Sequence, residues 1–193
     1  PVSVPEVSSE MVNDGGTHVV ITARSKVVSA SPALRLLSFS VDDYVYYKDD
    51  RIHAVRVNRV LVDSQPAPHR FFRGDLLVAL PRPLAQGESA LVETVIEGEF
   101  AQRPGGDNYF DLGMGQISPA PGDGALDYAA FDIRVEVPKP FVPFASGETV
   151  ERSSSDSMNR LHSRLEGAFR YPVVLAGKYQ SVTEEANGYR AVV

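Results

Sequence analysis

The sequence of 193 residues contains no cysteine. This absence excludes a disulfide framework, a thiol nucleophile, an iron–sulfur cluster and any zinc site with cysteine ligands. No apolar run approaches the roughly 20 residues of a membrane-spanning helix, so no membrane-spanning segment is predicted. The sequence also lacks an initiating methionine and a charged-then-apolar leader, which favours a piece of a longer or processed polypeptide.

Charge of one sign is not concentrated in any part of the chain. Nineteen Lys and Arg residues stand against 25 Asp and Glu residues, which gives a formal net charge of −6. Nucleic-acid-binding domains gather basic residues on one face, and the basic residues here are scattered. The sequence therefore predicts no nucleic-acid partner.

Apolar and polar residues alternate in six short stretches, as in strands that are covered on one face. The stretches are 17–28, 34–41, 52–62, 76–80, 90–96 and 131–137. In the second stretch Leu37, Phe39 and Val41 share one face, and Pro138 is expected to end the last strand because it has no N–H to donate. A proline-bounded loop is expected at 81–87. The pattern predicts a single all-β domain over 1–193, an antiparallel β-sandwich built from a saddle-like pair of sheets.

Residues 102–125, the Gly/Pro segment, break this pattern with six glycines and three prolines. A long irregular loop inside a domain is usually functional or poorly ordered. Its aromatic and polar side chains are candidates to line a cleft; they are Tyr109, Phe110, Asp111, Met114 and Gln116. The alternative is an ordinary crossover between two sheets.

Residues 155–169 fit two structures. Met158, Leu161, Leu165 and Ala168 have helical spacing behind a polar cap. Leu161, Ser163 and Leu165 also alternate with the polar residues at 162, 164 and 166, and a chain otherwise made of strands favours a hairpin with its tip at 153–156.

Motifs for catalysis or metal binding are absent from the sequence. The histidines His18, His53, His69 and His162 lie far apart, and none has a partner at metal-ligand spacing. No Gly-x-Ser-x-Gly or phosphate-binding loop is present. The acidic stretch 42–50 lacks the glycine and the terminal glutamate of a helix-loop-helix calcium site.

Three segments, taken in order, carry a family resemblance. Residues 57–100 contain Leu-Pro at 80–81, Pro-Leu-Ala-Gln-Gly-Glu at 83–88 and Val-Ile-Glu-Gly at 95–98. Residues 127–149 contain Val-Pro at 137–138 and Ala-Ser-Gly at 145–147, and residues 171–182 contain Pro-Val followed by Ala-Gly-Lys-Tyr. These segments resemble the amino-terminal β-domain of the gluzincin aminopeptidases, the aminopeptidase N type of zinc metallopeptidase.

The resemblance implies a domain that is not itself an enzyme. In that family a following catalytic domain supplies the Gly-x-Met-Glu-Asn segment and the His-Glu-x-x-His zinc site, and neither motif occurs in this chain. The resemblance thus implies a chain without metal, cofactor or peptidase activity, separated from a parent zinc metallo-aminopeptidase. The implied partners are its own catalytic domain, which would hold the zinc, and a peptide substrate of the full-length protein.

The resemblance also implies site residues and favours the hairpin. Family members use this domain to present a glutamine or glutamate oxygen to the substrate amine, from the irregular segment before the strand at 131–137. The matching segment here makes Gln116 the first candidate and Asp111 the second, with Tyr109 beside them. The family's Trp-Tyr-Pro-Gln or Gln-x-Glu context is replaced by Tyr-Phe-Asp at 109–111. For 158–169 the resemblance implies a strand with Leu161 and Leu165 facing the core.

Two other functions are compatible with the sequence. One is a free-standing β-sandwich module that binds peptide or carbohydrate through the tyrosine-rich edge at 44–47. The other is a catalytically inactive relative of the aminopeptidases that mediates protein contacts. The residues encoded after Val193 distinguish the aminopeptidase domain, the binding module and the inactive relative, because only the aminopeptidase continues into an intact His-Glu-x-x-His motif. Cellular location stays open, although bacterial relatives of this type are often exported or membrane-attached.

Overall fold

The computed structural model describes residues 2–13, 18–41, 44–47, 50–53, 55–99, 110–112, 118, 120–121, 129–169, 172–178, 183–186 and 189–192. All regular structure in these residues is β, and no helix long enough to cross a membrane occurs in them. In chain order the strands are β1 Val2–Asn13, β2 His18–Ser29, β3 Leu34–Ser40, β4 Tyr44–Tyr47, β5 Asp50–His53, β6 Val55–Val62, β7 Gln65–Pro66, β8 His69–Phe72, β9 Asp75–Leu84, β10 Ser89–Glu99, β11 Phe110–Leu112, β12 Ala120–Pro121, β13 Ala129–Pro138, β14 Val142–Ala145, β15 Glu148–Ser154, β16 Met158–Phe169, β17 Val174–Gly177, β18 Thr183–Ala186 and β19 Tyr189–Val192.

Three sheets build the domain. An eight-stranded sheet has the order β15-β16-β13-β1-β2-β10-β6-β7, a four-stranded sheet has the order β12-β3-β9-β8, and a three-stranded sheet has the order β11-β17-β14. Two separate hairpins, β4–β5 and β18–β19, complete the described strands. Pairing is antiparallel except between β1 and β13, which are parallel. The predicted all-β sandwich is therefore confirmed, with one parallel pair, β13 and β1, in the interior of its large sheet.

One face of the eight-stranded sheet packs against both smaller sheets. Ile133 of β13, Phe39 of β3 and Val174 of β17 belong to the same buried hydrophobic cluster. Removing a side chain of this size from water stabilises the fold by roughly 1.5–3 kcal/mol. The alternation predicted from the sequence is confirmed at the buried residues Leu37, Phe39, Val41, Leu76, Val78, Ala90, Val92, Thr94, Ile96, Phe131, Ile133, Val135 and Val137.

The contested segment 155–169 is a hairpin strand. β16 pairs with β15 on one side and with β13 on the other. The turn is closed by the Ser155 N–H, which donates to Met158 O at 2.9 Å, and by the Met158 N–H, which donates to Ser155 Oγ at 3.1 Å. Leu161 and Leu165 are buried, as the resemblance implied.

The predicted loop at 81–87 begins later than expected, because β9 continues through Pro81 and Pro83 to Leu84. Its pairing with β3 jumps from Ala79 opposite Leu36 to Leu84 opposite Leu34. Residues 80–83 thus form an irregular stretch without ladder partners. A proline there removes no ladder hydrogen bond, which is why the strand tolerates two of them.

Candidate functional site

The residues proposed to contact substrate lie in the Gly/Pro segment, most of which falls outside the described residues. Tyr109 and Gln116 belong to that undescribed part. Asp111 lies in β11, where its backbone is opposite Leu175 of β17. Within 102–125 the described residues include two short strands, β11 and β12, attached to different sheets.

Both ends of the short piece that carries Gln116 are fixed. On one side Leu112 is opposite Val174 in the three-stranded sheet. On the other side Ser118 is fully buried, and its Oγ shares a hydrogen bond of 3.2 Å with Ser25 Oγ of β2. Two residues later Ala120 is opposite Ser40 in the four-stranded sheet. The described residues on the two sides of 113–117 therefore belong to the three-stranded sheet and to the contact with the buried face of the eight-stranded sheet.

Small polar side chains form the part of the buried face to which Ser118 is attached. Ser9 of β1 and Thr94 of β10 are both opposite Ala23 of β2, and Ser25 lies two residues further along β2. All three polar side chains are almost completely buried. Thr94 Oγ1 has no hydrogen-bond partner among the described atoms, which costs about 1–3 kcal/mol for a buried hydroxyl. The sequence pattern does not reveal this group, because serine at an inward position looks the same as serine on a solvent face.

The outer face of the eight-stranded sheet, opposite the buried face, carries a cluster around Asp132. Asp132 Oδ2 lies 2.9 Å from His162 Nε2 and 3.2 Å from Arg164 Nη2, and Asp132 Oδ1 lies 2.7 Å from Arg134 Nη1. Partial burial would by itself raise the pKa of the Asp132 carboxyl, but its polar neighbours act in the opposite direction. The hydrogen bond from His162, the charge of Arg134 and the hydrogen bond from Arg164 together outweigh burial and hold this pKa below its usual value.

Further ion pairs extend this cluster into a charge lattice across the outer face. Glu136 accepts two hydrogen bonds from Arg160, of 2.8 and 3.0 Å, and these lower the pKa of Glu136. Glu93 is held between Arg24 and Arg59, with both contacts at 2.8 Å. The remaining members are Lys26–Glu6 and Arg56–Glu97. Each of these carboxylates already has a cation as neighbour, so the lattice supports the sheet and offers no free general base.

Metal ligands do not gather in the described part of the chain. His162 contacts Asp132, His69 Nδ1 lies 3.1 Å from Ala67 O, and His18 Nδ1 lies 3.8 Å from Glu99 Oε1. No three His, Asp or Glu side chains among the described residues are placed to hold a metal ion. A catalytic zinc needs three such ligands, so these residues do not fit a zinc site.

Comparison with known proteins gives a likeness in structure only. No protein-family model matches the sequence, and no curated protein matches it. An M1 zinc metallopeptidase from Deinococcus radiodurans superposes with a TM-score of 0.74 at 17% identity, covering 95% of this chain and 44% of that chain. A mutant of an M1 zinc metallopeptidase from the same organism gives 0.75 at 18% identity, with coverage of 95% and 44%. A mutant bound to a Tyr-Ser-Ala substrate gives 0.76 at 17% identity, with coverage of 99% and 46%.

These likenesses show the fold. The chain spans less than half the length of the solved structures that it matches. The β-domain fold expected from the segments at 57–100, 127–149 and 171–182 is confirmed.

Proposed function

We propose that this chain is the non-catalytic amino-terminal domain of a zinc aminopeptidase-like protein, where it supports the catalytic domain and lines the substrate cleft. The observation that carries the proposal is the structural likeness to M1 zinc metallopeptidases, which takes in 95–99% of this chain but only 44–46% of those chains. A fold by itself does not define a function, so the role of each group has to be argued from its chemistry.

The different roles proposed for this chain and for the catalytic domain follow from the groups that peptide hydrolysis requires. A zinc peptidase needs three protein ligands, a metal-activated water and a general base. The described residues offer no such ligand group. The carboxylates of the charge lattice are occupied by arginine and lysine. In this proposal zinc and base belong to the catalytic domain of the parent protein, and this chain supplies binding surface.

Gln116 is the residue we assign to substrate binding, with Asp111 and Tyr109 as further candidates to line the cleft. An amide or carboxylate oxygen accepts hydrogen bonds from the free ammonium group of a peptide, and such charge-assisted bonds are about twice as strong as neutral ones. The anchoring of Leu112 and Ser118 supports this assignment. A contact of this kind needs a fixed point of origin, since a loosely held side chain loses much of its affinity to ordering entropy.

The first test concerns the chain alone. Purified protein dialysed against zinc is expected to retain no stoichiometric metal and to release no fluorophore from aminoacyl-coumarin substrates. The reading frame beyond Val193 is expected to encode a His-Glu-x-x-His motif within the next domain. A stop codon there would instead support a free-standing binding module, and a disrupted motif would support an inactive relative.

The second test concerns Gln116 in the parent enzyme. Gln116→Ala removes the acceptor and is expected to raise KM for peptide substrates by about 10-fold or more, as for a lost hydrogen bond to a charged group. Gln86→Ala, in an exposed turn, is the matched control and should leave KM unchanged. An unchanged KM for Gln116→Ala in an active parent enzyme contradicts the assignment of this residue and leaves the domain assignment in place.

A further inference from the structure

Ser25 of β2 is a polar residue in an apolar row on the buried face of the eight-stranded sheet. Its direct neighbours on the adjoining strands are Val7 of β1 and Val92 of β10. In strand order the row consists of Leu165, Phe131, Val7, Ser25, Val92 and Val62. All of these side chains are buried. A hydroxyl in such surroundings is unfavourable unless it has a hydrogen-bond partner.

The Ser25 hydroxyl contacts a residue that is far away in the chain. Its Oγ lies 3.2 Å from the Oγ of Ser118, which is fully buried. Two bonded hydroxyls add little net stability, and replacing both with apolar groups of the same shape can be nearly neutral. A hydrogen bond does, however, fix the distance and direction between two atoms, which an apolar contact does not. Positioning of Ser118 therefore explains this pair better than stability does.

Ser118 is the described residue nearest in the chain to Gln116, the residue assigned above to the substrate amine. It follows Gln116 by two positions, whereas Leu112, the nearest described residue on the other side, precedes Gln116 by four. Two residues of chain span about 7 Å at most, so a shift of Ser118 passes to Gln116 with little slack. Small misplacements of a group that orients substrate have large effects on binding and rate. The hydrogen bond between Ser25 and Ser118 is therefore placed to affect substrate binding.

We infer that Ser25 is a positioning residue for substrate binding, which holds Ser118 and thereby fixes the place from which Gln116 reaches the free amine of a peptide. This inference rests on the proposed function and adds a residue of the buried face to the substrate site. Ser25 is only 3% exposed and faces the core, so it acts through Ser118 and does not touch substrate. The amine is held in the ground state and in the transition state alike. Loss of positioning should therefore raise KM and leave kcat nearly unchanged.

Steady-state kinetics of the parent enzyme test the inference. Ser25→Ala is expected to raise KM for peptide substrates about three- to tenfold, with kcat changed by less than about twofold. Ser118→Ala should have the same effect, and the double variant should be no worse than either single variant, because all three lose the same bond.

Ser29→Ala is the matched control for the loss of a buried hydroxyl. Ser29 lies in the same strand and is also buried, but its Oγ donates to Ser31 O at 2.9 Å and has no link to Ser118 in the described structure. Ser25→Ala and Ser29→Ala should lower the unfolding midpoint by similar amounts. A rise in KM confined to Ser25→Ala then separates positioning from a general loss of stability.

A second double-mutant cycle tests whether Ser25 acts through Gln116. In the Gln116→Ala background, Ser25→Ala is expected to change KM by less than about twofold, because the side chain that it positions is gone. A further rise of about threefold or more in that background would mean that Ser25 affects substrate by another route, which overturns the inference.

Amide hydrogen exchange of the 193-residue chain gives a readout that does not depend on activity. Peptides containing residues 118–121 are expected to exchange about three- to tenfold faster in Ser25→Ala than in the unaltered chain, since one contact that holds this stretch is lost. Ser29→Ala should leave their exchange unchanged. Equal exchange in Ser25→Ala and in the unaltered chain would contradict the anchoring of Ser118 by Ser25.

The outcomes separate the two proposals. A KM that rises in Ser25→Ala and in Gln116→Ala, without adding in the double variant, supports both. An active parent in which Gln116→Ala raises KM and Ser25→Ala does not overturns the positioning inference and leaves the proposed function intact. An active parent in which neither variant changes KM overturns the roles of both residues but not the domain assignment. A reading frame without a His-Glu-x-x-His domain overturns the proposed function and, with it, the role of Ser25.

Discussion

Gly147 is a position at which the structure predicts a large effect of adding one methyl group. It lies in the turn between β14 and β15 with φ 103°, a conformation that costs other residues about 1–2 kcal/mol. A Cβ added there would lie 2.5 Å from Arg164 O and 2.6 Å from Leu165 Cδ1. Overpacking of this kind costs about 1–3 kcal/mol. The turn cannot easily move away, because Ser163 Oγ lies 2.8 Å from Ser146 O and 3.1 Å from Glu148 O.

Gly147→Ala should therefore lower the free energy of unfolding by about 2–5 kcal/mol, out of a total of about 5–15 kcal/mol for a typical domain. Gly87→Ala is the matched control. Gly87 also has a positive φ, of 82°, but a Cβ there would meet nothing within 4 Å, so only the strain of about 1–2 kcal/mol applies. Urea unfolding followed by far-ultraviolet circular dichroism measures both. Equal losses for the two variants would refute the close approach of β16 to Gly147.

Two further predictions concern the hairpin strand and the charge lattice. The lowered pKa of Asp132 stabilises the folded state above its unfolded pKa of about 3.9, and this stabilisation is lost as pH falls through the lower folded value. Asp132→Asn should accordingly lower stability in urea at pH 7 but have little effect at pH 2; an equal loss at both pH values would contradict this. Leu161→Ala is expected to cost about 2–5 kcal/mol, whereas Val150→Ala, in the exposed neighbouring strand, should stay within about 0.5 kcal/mol. A neutral Leu161→Ala would contradict the burial of β16.

The strands were predictable from the sequence wherever one face meets the core and the other meets water. Phe131, Ile133 and Val135 alternate with charged residues, and the structure buries the first set and exposes or half-buries the second. The segment 155–169 was harder, because Leu161 and Leu165 satisfy helical and strand spacing alike. Its pairing with β13 decided the structure, and long-range pairing is not visible in a local pattern.

The strand β1 was missed because its inward positions include Ser9 and Asn13 and its register shifts between Ser3 and Glu6. A buried serine is compatible with a core only when another group satisfies it. The partner at Ser25 is Ser118, 93 residues away in the chain. Such a pair cannot be inferred from either segment alone, since the alternation at 17–28 predicts a strand but does not show which distant residue meets Ser25.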